Sequence, residues 1–92
     1  MSEIQILPVG PGRFSVAVDE EHLRTVHTVV VPASLLDDLG LAGVDQTEIV
    51  RETLGFLLER EPATAILEEF SLETVASYFP EFYDELRTRL GA

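Results

Sequence analysis

The first third of the chain alternates between apolar and polar side chains, and this period of two limits the possible folds more than any other feature. Three runs carry the alternation, residues 3–7, 13–18 and 23–31. A Pro-Val-Gly-Pro-Gly turn at residues 8–12 and a polar connection at residues 19–22 separate them. Because both connections are far too short for a parallel crossover, we predict an antiparallel sheet of two or three strands.

In the remaining two thirds the apolar residues follow a helical period, and capping signals divide this part into short helices. Asp45 and Glu48 have the spacing of a capping box, Ser71 is typical of an N-cap, and Pro62 ends a helix. The predicted helices are residues 34–39, 45–60, 63–69, 72–77 and 80–90. Together the two parts predict one α+β domain over residues 1–92. It has a small antiparallel sheet of two or three N-terminal strands packed by three to five C-terminal helices.

The charges are strongly unbalanced, with seventeen acidic residues against six arginines, no lysine and a formal net charge of −11. Residues 1–31 carry four acids and two arginines, whereas residues 32–92 carry thirteen acids and four arginines. Because phosphate backbones and anionic lipids require clustered cations, we expect neither direct nucleic-acid binding nor membrane binding. An acidic face would instead maintain solubility, steer a basic partner toward the chain, or mimic nucleic acid.

The composition indicates a folded protein of the cytoplasm. Hydrophobic residues make up 46% of the sequence, which is enough for a core despite the charge. There is no cysteine, so disulfides and thiolate metal ligands are excluded. The chain does not start with a basic segment and an apolar run, and no apolar run approaches the roughly 20 residues of a membrane span.

Residues with catalytic chemistry are few, and none has the spacing of a catalytic or metal-binding motif. The chain has no cysteine or lysine nucleophile, and no serine lies in a Gly-x-Ser-x-Gly elbow. His22 follows three acids, but this cluster lacks the spacing of a calcium loop. His27 is expected to be a half-buried strand residue whose ring is hydrogen-bonded. We therefore predict no catalytic residue, no metal site and no cofactor.

Residues 78–83, Tyr-Phe-Pro-Glu-Phe-Tyr, hold four of the seven aromatic residues, and we call these four side chains the aromatic cluster. Pro80 disfavours helical geometry at the residue before it and suits the start of a new helix, so the cluster joins two predicted helices. Helical spacing predicts that Phe79 and Phe82 face the core. The polar tips of Tyr78 and Tyr83 suit a protein interface.

A second candidate contact surface lies on the long predicted helix, where Gly55 and Phe56 fall beside the apolar stripe. Glycine costs about 1 kcal/mol relative to alanine in a helix interior. Its presence therefore suggests either tolerance or the close approach of another backbone, for example in a dimer. The candidate interaction surface comprises Gly55, Phe56, Tyr78, Phe82 and Tyr83.

The C-terminal half contains a recognisable order of short segments. Phe-Leu-Leu-Glu-Arg-Glu-Pro at residues 56–62 precedes Ile-Leu-Glu-Glu-Phe-Ser-Leu at residues 66–72, and Tyr-Phe-Pro-Glu follows at residues 78–81. This order resembles small acidic bacterial proteins of unknown function with a similar Phe-x-Leu and Tyr-Phe-Pro-Glu tail, and the likeness covers residues 13–90. Because that group has no assigned chemistry, the resemblance implies no activity and no functional residues.

These observations favour a non-catalytic protein-interaction module that is homodimeric. It would use the aromatic cluster or the Gly55–Phe56 face against itself or against a protein partner. One alternative is an acidic antitoxin or regulatory protein that binds a basic protein partner. Another is a small metal-dependent or hydrolytic enzyme, and this would require a cleft that brings His27 together with two carboxylates.

Overall fold

A computed structural model describes residues 2–91, and its first three strands form consecutive antiparallel pairs. Strand β1 spans Ser2–Gly10, β2 spans Arg13–Glu20 and β3 spans Leu23–Val30. Two-residue turns join them, as the short connections require. The prediction of an antiparallel N-terminal sheet is therefore confirmed.

The two hairpin turns differ in how well their residues suit the backbone. In the first turn Gly12 has a φ of +65°, and a Cβ placed there would lie 2.7 Å from the carbonyl oxygen of Val31. This turn therefore requires glycine. In the second turn Glu21 has a φ of +58°, where glycine or asparagine is the usual residue. The second hairpin is closed with a strained residue.

The sheet has a fourth strand, β4 at Glu69–Ser71, which pairs in parallel with β3. The sheet is therefore mixed, with four strands in the order β1-β2-β3-β4, rather than antiparallel with two or three. Strands β1 and β4 are its edges. The predicted α+β class is confirmed, and the strand count is corrected by this one short strand.

The helix predicted over residues 63–69 is wrong. Only Ala63–Ala65 form a turn of 3-10 helix, and the chain then runs extended into β4. The carbonyl of Glu68 accepts a hydrogen bond from the amide of Thr28 at 2.7 Å. The apolar spacing of this segment fits a helix, but bonding to β3 holds the backbone extended.

Four α-helices lie within the described residues, and none of them is long and apolar enough to span a membrane. Asp45 caps the longest, because its side chain accepts from the amide of Thr47 at 2.8 Å. Ser71 and Thr74 form a capping box at another. The helices are α1 at Ala33–Leu39, α2 at Gln46–Leu58, α3 at Leu72–Tyr78 and α4 at Phe82–Arg89.

The helices cover one face of the sheet, which we call the inner face, and leave the other, the outer face, open. On the inner face Val16, Val18 and Val29 are completely buried. Opposite them, α2 contributes Ile49 and Leu54, which are also completely buried. This apolar layer between sheet and helices forms most of the core. Exposed large apolar side chains lie on the outer face, at a groove between α3 and the segment before β4, and at Leu23 beside the second hairpin turn.

Candidate functional site

Two residues of the predicted interaction surface, Phe56 and Phe82, are core residues with 0% of their surface exposed. Their ring centroids lie 5.0 Å apart, and the ring of Phe79 meets Phe56 edge-on at 5.7 Å. The guanidinium of Arg60 lies 3.6 Å from the centre of the Phe56 ring and covers it. The structure therefore places Phe56 and Phe82 inside a single chain, where α2 meets α4, and not on a surface.

Gly55 is half-buried, and outside its own helix the atom nearest to its side-chain position is a guanidinium nitrogen rather than a backbone atom. A Cβ at this position would lie 3.5 Å from Arg89 Nη1. Arg89 itself contacts Glu52 at 3.6 Å, Glu59 at 2.5 Å and Glu85 at 3.5 Å. The hydrogen bond between Arg89 and Glu59 lowers the pKa of Glu59 and raises the pKa of Arg89. The Gly55 face of α2 is therefore occupied by α4 of the same chain.

The two tyrosines of the aromatic cluster have different surroundings. Tyr83 is half-buried with its ring 5.7 Å from that of Phe82, and burial, assisted by Glu73, raises the pKa of its phenol. Tyr78 is 69% exposed. Of the five residues in the predicted surface, only Tyr78 therefore offers most of its side chain to a partner.

Tyr78 forms one wall of an apolar groove with a volume of about 340 Å³. The other wall carries Leu67, which is 49% exposed. The floor consists of core side chains that are each at most 6% exposed: Leu57, Ile66, Phe70 and Val75. The groove is thus an opening onto the core, with two large apolar side chains standing at its rim.

The charge at the groove is negative and has no counterion within the described residues. Glu61 lines the groove, and Glu68 follows the wall residue Leu67 in the chain. Neither carboxylate has an ion pair, although every one of the six arginines lies within 3.9 Å of a carboxylate elsewhere. The arginines of the chain therefore form ion pairs outside the groove, and the groove keeps its negative charge.

His27 connects the inner face of the sheet to a wall of the groove. It is 2% exposed, and its Nδ1 lies 2.7 Å from the carbonyl oxygen of Leu67. Because a carbonyl can only accept, the ring donates this hydrogen bond. Its Nε2 lies 2.8 Å from the hydroxyl of Thr25. The predicted hydrogen-bonded ring is confirmed, and His27 holds the Leu67 segment against β3.

The outer face is the second apolar surface, and sequence reasoning did not identify it. Leu7 on β1 and Val26 on β3 are 64% and 57% exposed. Ala17 lies opposite Val26 in the register, and Ser15 lies opposite Leu7. Small and branched side chains therefore occupy the middle of this face. The alternation within the strands could have identified this face, because it places Leu7 and Val26 on the side of the sheet opposite the core residues.

The charges of the outer face nearly cancel. Its arginines are both paired, Arg13 with Glu69 at 2.8 Å and Arg24 with Asp19 at 3.5 Å. Glu3 is the remaining acid on this face. With three acids and two arginines, the described part of the outer face has a net charge of −1, far from the −9 of residues 32–92.

Glu20, Glu21 and His22 line one pocket at the second hairpin turn, but they do not form a metal-binding group. The residues that the structure describes include no group of three or more histidines, aspartates or glutamates that could hold a metal ion. His27 contacts a carbonyl and a hydroxyl, and no carboxylate is bonded to it. Comparisons of the chain with protein-family models, curated proteins and solved structures each found no match.

Proposed function

We propose that the chain is a cytoplasmic, non-catalytic protein-interaction module that forms a homodimer by packing two outer faces together. The observation that carries this proposal is the uncovered outer face, with Leu7 and Val26 both more than half exposed. Apolar side chains gathered on one side of a sheet are typical of a surface that packs against a second sheet. Ala17 and Val30 extend this apolar area across β2 and β3.

Charge favours the outer face over the helical side for self-association. Two copies that each carry −11 repel one another, and the repulsion is smallest where nearly neutral surfaces meet. The outer face, at −1, is such a surface. We therefore expect added salt to tighten the dimer, because salt screens the remaining repulsion and leaves apolar burial intact.

The size of the face sets the expected affinity. Three strands of eight or nine residues form a flat rectangle of roughly 26 by 14 Å, or about 370 Å² per copy. The additional area of the protruding side chains is not included. A standard interface buries about 800 Å² per partner. The dimer is therefore expected to be weak and reversible, with a dissociation constant in the micromolar range or above.

Sedimentation velocity over a range of concentrations tests the proposal, with Val26→Glu as the disrupting variant. The wild type should shift from monomer to dimer between about 1 and 500 µM, whereas Val26→Glu should stay monomeric. Val26 is exposed, so the variant should keep its circular dichroism spectrum and, at concentrations where the wild type is monomeric, its unfolding midpoint.

Leu23→Glu is the matched control, because it adds the same charge on the same strand. Leu23 is 52% exposed, but it shares the alternation of His27 and not that of Val26. The control should dimerise like the wild type. A wild type that remains monomeric throughout, or equal disruption by both variants, would exclude the outer face as the dimer interface.

A further inference from the structure

The groove is lined by residues of α2, α3 and the segment around β4, and it shares no residue with the outer face. We propose that it binds a short basic segment of another protein that inserts one or two large apolar side chains between Leu67 and Tyr78. This inference rests on the proposed role as an interaction module, but it does not require the dimer.

The shape of the groove supports an apolar anchor. Its volume of about 340 Å³ is close to the lower end of the range for small-ligand pockets, so it accepts one or two large side chains and not a whole domain. Its floor includes Ile66 and Phe70, the two most exposed members of the core at 6% each. An inserted side chain would cover them and contact Leu67 and Tyr78 on both walls. Tyrosine at such a rim adds contact area at a low entropic cost.

The charge determines the class of partner. Glu61 lines the groove and has no counterion among residues 2–91, although the chain pairs all six of its arginines with acids. A lysine or arginine beside the apolar anchor would contact this carboxylate without displacing an internal cation. The field of a chain at −11 also attracts basic segments and repels acidic ones, including a second copy.

Three labelled peptides of about twelve residues test this inference by fluorescence anisotropy. The first has leucines at helical spacing and lysines elsewhere, the second replaces lysine with glutamate, and the third replaces leucine with alanine. Only the leucine–lysine peptide should bind with saturation. Its affinity should fall as salt rises from about 50 to 200 mM, because the attraction is screened.

Variants of the full-length chain locate the binding. Leu67→Ser and Tyr78→Ser should each weaken the leucine–lysine peptide about tenfold, because each removes an anchor contact. Glu61→Gln should weaken it about threefold and reduce its salt dependence. Asp37→Asn removes an exposed acid on α1 that does not line the groove, and it should change neither the affinity nor its salt dependence.

Several results would overturn the inference. One is the absence of saturable binding to the wild type up to about 1 mM peptide. Others are equal binding of the alanine–lysine peptide, or equal weakening by Asp37→Asn and Glu61→Gln, because both indicate unspecific charge attraction. Val26→Ser weakening the peptide as much as Tyr78→Ser would place it on the outer face. Sedimentation of the same variants reports the dimer separately, so one proposal can fail without the other.

Discussion

The outer face and the groove both expose apolar side chains, but they differ in shape and in charge. The outer face is a broad strand surface whose two arginines are paired and whose net charge is close to neutral. The groove is concave, opens onto the core, and is lined by Glu61, which forms no ion pair within residues 2–91. On these two proposed surfaces, exposed apolar area would set where the chain binds, and the local charge would set what it binds.

Salt separates the two surfaces because the same net charge acts on them with opposite signs. Between two copies the charge is repulsive, so screening should strengthen the proposed self-association through the outer face. Between the chain and a basic segment it is attractive, so screening weakens binding in the groove. If both associations respond to salt in the same direction, the distinction drawn from the charges is wrong.

The largest expected effect separates core from surface within the aromatic cluster. Phe82→Ala should lower the free energy of unfolding by about 3 to 5 kcal/mol, because it leaves a cavity beside Phe56. Tyr78→Ala should lower it by less than about 0.5 kcal/mol, because Tyr78 is 69% exposed. Urea unfolding of both variants measures the difference.

Phe82 belongs to the core on which both surfaces depend. Phe82→Ala should therefore impair dimerisation and peptide binding together through loss of fold, whereas Tyr78→Ala should impair peptide binding alone. A folded Phe82→Ala chain that loses only one of the two associations would indicate that Phe82 is part of an interface.

The sequence predicted the frame of the fold well, but it predicted the candidate sites poorly. Alternation and capping signals are local, so β1, β2, β3 and the capped starts of α2 and α3 follow directly from neighbouring residues. Strand β4 has three residues, too few for a pattern, and it forms only because it pairs with residues of β3 that lie 41 positions earlier in the chain. The exposure of Leu67, and with it the groove, depends on that long-range pairing.

Phe56 shows the opposite error, since its place beside the apolar stripe predicted a surface residue. The apolar stripe marks the side of α2 that packs against the sheet, but α2 also packs against α4. The ring of Phe82 and the guanidinium of Arg60 enclose Phe56 from that side. A helix between two partners buries more of its circumference than a single stripe indicates.

An intermediate effect is expected from His27, which joins the sheet to the groove. His27→Ala removes a buried ring and leaves the Leu67 carbonyl without its donor, so it should lower the free energy of unfolding by about 2 to 3 kcal/mol. Thr25→Val removes only the hydroxyl contact to the ring, and about 1 kcal/mol is expected. Urea unfolding measures both changes.

The His27 variants also test whether the two surfaces are separate. With Leu67 released from β3, peptide binding in the groove should weaken, while the remaining folded protein should still dimerise through the outer face. Thr25→Val should change neither association. Equal losses of dimer and peptide binding in folded His27→Ala would show that the surfaces are coupled through the sheet.

The smallest expected effect is a gain in stability from Gly55→Ala. A Cβ at this position meets Arg89 Nη1 at 3.5 Å, an ordinary contact, so the helix propensity of alanine should raise the free energy of unfolding by about 0.5 to 1 kcal/mol. Because α4 already covers this face, dimerisation and peptide binding should not change. Loss of either would make Gly55 part of a third surface.

Acid unfolding shows whether the new methyl group displaces Arg89. The pKa of Glu59 is lowered in the folded chain by its bond to Arg89, so this pair stabilises the fold above the ordinary pKa of a glutamate. Its contribution is lost as the pH falls through the lowered pKa. If Arg89 stays in place, the gain from Gly55→Ala should be equal near pH 7 and near pH 3. If the methyl group displaces Arg89, the gain should be smaller near pH 7 than near pH 3, because the pair contributes most where Glu59 is ionised.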